Sequence, residues 1–173
     1  GGCKELLARL NKFNLVPEGP MGAVMKAFEY IGTAKVATSA EQARSMGFLG
    51  PDDGITMNRD RLLADAKQRA LEMIDGYEPP EPHTYVLPGN SGFTALELAV
   101  KDLALSGQAT PHDVVVTREL ARILTGGDTD ITESLTEEDI LEMERKAIGW
   151  LGRQPDTLAR MEHMLNTGKP LRN

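Results

Sequence analysis

Thr33-Ala34-Lys35-Val36-Ala37-Thr38-Ser39-Ala40-Glu41-Gln42-Ala43-Arg44-Ser45-Met46-Gly47-Phe48-Leu49 is the stretch on which the reading of the chain turns. Lys35-Val36-Ala37 fits either a short extended strand or part of a turn. Thr38 and Ser39 carry side-chain oxygens that can accept from the first free N–H groups of a helix. Each has a partner three residues on, Glu41 for Thr38 and Gln42 for Ser39. Either pair is a capping box, so a helix begins here. It is short, because Gly47 supplies the residue at which helices stop, and Phe48-Leu49 leaves as an apolar pair before Gly50-Pro51. The rest of the chain is expected to pack around this unit as helices.

Working outward, Cys3 to Phe13 reads as a helix with Leu6, Leu7, Leu10 and Phe13 on one stripe. Glu18-Gly19-Pro20 turns into a second helix, Met21 to Ile31, with Met21, Val24, Met25, Phe28 and Ile31 as its stripe. Downstream, Pro51-Asp52-Asp53-Gly54 is a turn and Ile55-Thr56-Met57 fits a short strand. Asn58 then caps a long helix from Arg59 to Asp75, with Leu62, Leu63, Ala66, Ala70, Leu71, Met73 and Ile74 as its apolar face. Residues 77–92 hold Pro79, Pro80, Pro82, Pro88, Gly89 and Gly92, which reads as an extended linker. Four more helices follow. They run from Phe93 to Ser106, from Pro111 to Leu124 or Thr125 behind a Thr110 cap, from a Thr136 cap to Leu151, and from Pro155 to Asn166. The chain is therefore expected to be all-α or mainly α. It should have about eight helices in two halves, 1–76 and 93–173, joined by the Pro/Gly-rich linker, with at most one or two short strands.

Bulk composition agrees. Hydrophobic residues are 40% and charged residues 26%, as in a globular chain, while aromatics are only 5%. The core must then be aliphatic, which suits helix packing. A net charge of −7 argues against nucleic acid as a partner. The single cysteine, Cys3, excludes an internal disulfide and fits a reducing compartment. No apolar run is long enough to span a membrane and no signal pattern opens the chain, so a cytoplasmic location is expected. The chain opens on Gly1-Gly2-Cys3 without an initiator methionine. That is expected of a piece of a longer protein or of an added leader.

The wording of the opening stretch carries a resemblance. Ser39 to Leu49 resembles the S-A-x-E-A-x-x-x-G-L-V turn-helix of the crotonase (enoyl-CoA hydratase/isomerase) superfamily. It departs at Gln42, where the family usually has Glu, and at Phe48-Leu49. Asn58-Arg59-Asp60-Arg61-Leu62-Leu63-Ala64-Asp65-Ala66-Lys67 and the closing Thr167-Gly168-Lys169-Pro170-Leu171-Arg172-Asn173 are similar to one branch, the fused 3-hydroxyacyl-CoA dehydrogenase/enoyl-CoA hydratases of fatty-acid β-oxidation. The resemblance covers nearly the whole chain. It implies a parent enzyme that takes acyl-CoA thioesters and NAD, of which this chain is the C-terminal part of the hydratase portion.

Gly1-Gly2-Cys3-Lys4-Glu5-Leu6-Leu7 aligns with that family in two ways. One makes Glu5 a catalytic glutamate beside an oxyanion-hole glycine. The other, which fits better, makes Gly1-Gly2 a structural turn before a helix, downstream of both glutamates. On the second alignment the chain holds no catalytic residue and no cofactor of its own, and the fragment is expected to be inactive. Its alternative role is a helical packing or oligomerisation module that completes the hydratase domain. Lys169 and Arg172 are the residues the resemblance implies for CoA phosphate contact; a solvated charge is the commoner fate of such residues.

Other chemistry is thin. His83, His112 and His163 lie on different elements with no metal-ligand spacing, so no metal site is expected. Glu137-Glu138-Asp139 fits a helix first turn, where carboxylates favour the dipole. Gly126-Gly127 stops a helix and is not a phosphate loop. No G-x-G-x-x-G follows a strand, so no NAD site is expected in these residues. The resemblance implies that the stripes of the first two helices pack against a β-sheet core, which is not read in this chain. Each buried apolar side chain is worth about 1.5–3 kcal/mol, so a homo-oligomer with those two helices at its interface is expected.

Overall fold

Helix α6 (Pro111–Thr125) is the one the others surround. In the computed structural model, which describes residues 1–173, α6 packs against α1 (Gly2–Lys12), α2 (Pro20–Gly32), α5 (Gly89–Leu105) and α7 (Glu137–Leu151). The remaining elements are α3 (Ala40–Ser45), α4 (Leu62–Glu72) behind a 3-10 turn at Arg59–Arg61, α8 (Pro155–Thr167), and two short strands, β1 (Thr84–Val86) and β2 (Ser134–Thr136). The chain is thus mainly α, with eight helices and one two-stranded sheet.

Local chemistry sets the bounds of α6. Thr110 Oγ1 accepts from the Asp113 amide, the Asp113 carboxylate accepts from the Thr110 amide, and Pro111 presets the first turn. At the other end Gly126 takes φ +90°, the left-handed conformation that ends a helix at least cost. A side chain there would be strained and crowded. A Cβ would meet Thr129 Cγ2 at 2.7 Å and Leu135 Cδ1 at 2.9 Å. Between the caps, Leu120, Ala121, Ile123 and Leu124 enter the core, and the buried Thr125 hydroxyl donates to the Ala121 carbonyl at 2.9 Å.

The core is continuous across both ends of the sequence. Leu6, Leu7 and Leu10 of α1 and Ala23, Val24, Ala27 and Tyr30 of α2 join the α6 residues, Leu96 of α5, and Ile140 and Ala147 of α7. This corrects one expectation. The first two helices do not offer a bare face for assembly, because they bury it against α6 and α7. On α2 the buried face is also rotated from the expected stripe: Ala23, Val24, Ala27 and Tyr30 point inward while Met25 and Ile31 stay exposed. Ala23 and Ala27 are small enough to let the α2 backbone approach its neighbours closely.

Residues 77–92 are also more structured than an extended linker. Thr84–Val86 pairs antiparallel with Ser134–Thr136, placing Tyr85 opposite Leu135, and both Tyr85 and Leu87 are buried. Helix α5 starts at Gly89, inside the stretch read as linker. Gly89 has φ +59°, and a Cβ there would collide with the Thr129 carbonyl oxygen. The glycine that looked like a helix breaker is what lets α5 begin against the 126–130 turn. Ile55-Thr56-Met57, expected as a strand, is irregular.

Helix α3 has the expected cap, Ser39 Oγ accepting from the Gln42 amide at 3.1 Å, while Gln42 Oε1 reaches back to the Thr38 amide at 2.6 Å. It is nonetheless peripheral and buries none of its residues; Met46, just beyond it, supplies the core contact. The expected long helix 59–75 is shorter, and its apolar face is uncovered. α4 buries nothing, and its main packing is against its own leading 3-10 turn.

Candidate functional site

Glu5 stands in the first turn of α1, where its carboxylate accepts from Lys4 Nζ at 2.6 Å. Lys4 also reaches Glu137 at 3.1 Å. The Lys4 hydrogen bond lowers the Glu5 pKa and outweighs the opposing effect of burial. A general acid or base poised for water needs the reverse shift, so Glu5 is held as a carboxylate in an exposed ion pair. Cys3 is no nucleophile either. Burial, and then the Glu144 charge, push its thiol up to about 12, and the Cys3 amide donates to Glu144 Oε1 at 2.9 Å.

The structure does gather one polar cluster, at the N-terminal end of α6, and Arg172 belongs to it. Arg172 donates to Asp113 Oδ2 at 3.4 Å and to the Gln108 carbonyl at 3.0 Å. Arg160, from the middle of α8, donates to Asp113 Oδ1 at 2.8 Å, Thr110 Oγ1 at 3.2 Å and Asn173 Oδ1 at 2.6 Å. Asn173 Nδ2 returns to the Asp156 carbonyl at 3.1 Å. His112, only 3% exposed, shares a hydrogen bond with Thr157 Oγ1 at 2.8 Å. Burial alone would raise the Asp113 carboxyl. The Thr110 and Arg160 hydrogen bonds prevail and hold it at about 2.

Two arginines therefore converge on one capping carboxylate. Lys169 is not drawn in; its amide donates to Thr167 Oγ1 and its side chain stays exposed. Sequence reading named Arg172 and Lys169 but missed Arg160, Asn173, and the partners of His112. The Thr110–Asp113 capping box was the available signal, since a carboxylate fixed at a helix start is a natural seat for a cation.

Beside the cluster lies a cleft of about 340 Å³, walled by Ile31, Val116, Leu120, Ile123, Ala147 and Ile148, with Asp113, Arg160, Glu119 and Glu144 among its polar lining. An apolar cleft with a few polar groups suits binding more than chemistry. Arg160 in its lining is already committed to Asp113. No group of three or more His, Cys, Asp or Glu side chains is placed to hold a metal ion. The strands are antiparallel, so no parallel β-α-β unit is present. No helix is long and apolar enough to cross a membrane.

Against known proteins, the chain is 42% identical over 176 aligned positions to a Bacillus subtilis (strain 168) protein named "Probable 3-hydroxyacyl-CoA dehydrogenase". The match takes in 100% of this chain and 22% of that protein, so the chain spans about a fifth of its relative's length. No protein-family model matches the chain. No solved structure matches it.

Proposed function

We propose that this chain is a non-catalytic helical section of a longer fatty-acid β-oxidation protein that acts on acyl-CoA thioesters. The observation that carries the reading is the 42% identity along the entire chain to a relative named "Probable 3-hydroxyacyl-CoA dehydrogenase". In the proposed parent, a fused crotonase-type portion adds water to a 2-enoyl-CoA, and a dehydrogenase portion oxidises the resulting 3-hydroxyacyl-CoA with NAD. The present residues complete the hydratase portion as packing and assembly elements, in a homo-oligomer in the cytoplasm. The Ser39–Leu49 turn-helix and the closing Thr167–Asn173 segment support the hydratase part of the reading. The ion-paired Glu5 and the high-pKa Cys3 support the non-catalytic part.

Lys169 and Arg172 are proposed as CoA phosphate contacts in the parent. Lys169 is exposed, and Arg172 shares its carboxylate with Arg160, so the three charges of that cluster sum to one excess positive charge.

The test uses the gene-encoded full-length protein beside the 173-residue chain. Full-length protein should hydrate crotonyl-CoA and reduce NAD with a 3-hydroxyacyl-CoA, while the chain alone should do neither. Turnover by the chain that disappears in Glu5→Gln would restore Glu5 as a catalytic residue. A full-length protein inert towards acyl-CoA thioesters would defeat the reading.

A further inference from the structure

Helix α8 is inverted relative to an ordinary surface helix, which buries its apolar stripe. Thr157, Arg160 and His163 are turned toward the protein, while Leu158, Met161, Met164 and Leu165 are turned to water. The Arg160 side chain is 24% exposed and Leu165 is 87% exposed. No residue after Ala147 enters the core. A polar clamp holds α8 instead: Arg160 donates to Asp113, Thr110 and Asn173, and Thr157 shares a hydrogen bond with His112.

A place for the outward apolar side chains lies beside them. Arg160 is the α8 residue that lines the cleft of about 340 Å³. The apolar walls of that cleft come from α2, α6 and α7, with Asp113, Glu119 and Glu144 among its polar lining. Met161 follows Arg160 at about 100° round the helix axis. Rolling α8 by that angle brings Met161 to the position of Arg160. Leu158 and Leu165 then lie within about 60° of it on one side, and Thr157 and Met164 on the other. The ionisable residues Asp156, Arg160, Glu162 and His163 go to the edge of the helix or to its outer side. Thr157 stays on the inward half in both positions, and Asp113 keeps its Thr110 cap and Arg172. Glycines flank the helix, Gly152 before it and Gly168 after it, and supply joints at which the backbone turns freely.

We propose that α8 is a rolling latch on this cleft. The Arg160–Asp113 clamp holds the helix with the cleft open, and freeing Arg160 lets the apolar face turn in and fill it. The rolled helix and an apolar ligand exclude each other, so the clamp decides whether the cleft can be entered. This goes beyond the function proposed above and does not depend on its acyl-CoA part.

Thiol labelling of the 173-residue chain tests it, in a Cys3→Ala background with Leu165→Cys as the reporter. A water-soluble maleimide should modify that exposed position quickly. Arg160→Gln, which frees the helix, should slow the reaction at least about tenfold as the rolled position comes to dominate. Asn166→Cys faces outward in both positions and should keep its rate. Adding Met161→Glu to Arg160→Gln should restore fast labelling of Leu165→Cys, because a charge does not enter an apolar cleft. Circular dichroism checks that each variant keeps its helix. If Arg160→Gln does not, Asp113→Asn releases the same clamp from the other side and must slow the reporter in the same way. A reporter whose rate is unchanged or faster once the clamp is cut overturns the proposal, since that is how a helix that only detaches behaves.

Discussion

Helices α1 and α4 are each 11 residues long and each amphipathic, yet α1 places three leucines in the core and α4 buries nothing. Their stripes look alike in sequence. Leu6, Leu7 and Leu10 find α2, α6 and α7 at packing distance, whereas Leu62, Leu63 and Leu71 stay more than half exposed. An apolar stripe says that a helix needs a partner; it does not say which. Helix α8 lies between these cases. It too buries no residue, but Arg160, Thr157 and the closing Asn173 tie it to α6 and its own tail through hydrogen bonds. The molecule thus holds its helices in three ways: by apolar burial, by a polar clamp, and, for α4, by its leading 3-10 turn and a hydrogen bond from Thr56 Oγ1 to Asp65 Oδ2 at 3.1 Å.

The largest effect should come from breaking the buried case. Leu7 is fully enclosed, so Leu7→Ala should cost about 2–5 kcal/mol of stability, by lost transfer energy plus the cavity left behind. Urea melting would show it. A loss below about 1 kcal/mol would mean that α1 is no better anchored than α4.

The clamp should show a smaller and pH-dependent contribution. The Asp113 carboxyl is held at about 2, below its ordinary 3.8. A depressed folded value means that the unfolded chain takes up the proton first. The stabilisation is therefore fully present above about pH 4 and is lost as pH falls through about 2. With a quarter of the side chain exposed, solvent screening limits it to roughly 1–2 kcal/mol. Urea melts at several pH values should show wild type losing more stability than Asp113→Asn across that window. Parallel curves would mean that the arginines do not hold α8 through this carboxylate.

The smallest effect should come from α4. Leu63→Ala in dilute solution should change stability by no more than about 0.5 kcal/mol, as an exposed substitution does. A cost near that of Leu7→Ala would erase the contrast between the two helices.

How far the candidate site could be read follows the same division. Arg172 was legible as a cation near the end of the chain, and Thr110-Pro111-His112-Asp113 as a helix start. That the two meet was not, because 59 residues separate Arg172 from Asp113 and no local rule spans them. Arg160 looked like any surface arginine on a helix, yet it supplies the shortest ion pair to Asp113. Gly89 was read as a linker residue, since its positive φ and its approach to Thr129 exist only once α5 and the 126–130 turn are in place.

By itself the sequence determined those helix ends that local caps close, though not the start of α5 or the end of α4. Capping boxes at Thr110 and Thr136, and left-handed glycines at Gly126 and Gly168, act through hydrogen bonds a few residues long and need no distant partner. Only the tertiary structure decided which faces are buried, why α6 and not the Ser39–Leu49 turn-helix is central, and where Arg160 and Arg172 meet. Those outcomes depend on apolar surface and charges brought together from far along the chain. The hydrophobic effect has no direction of its own, so a stripe cannot name its neighbour.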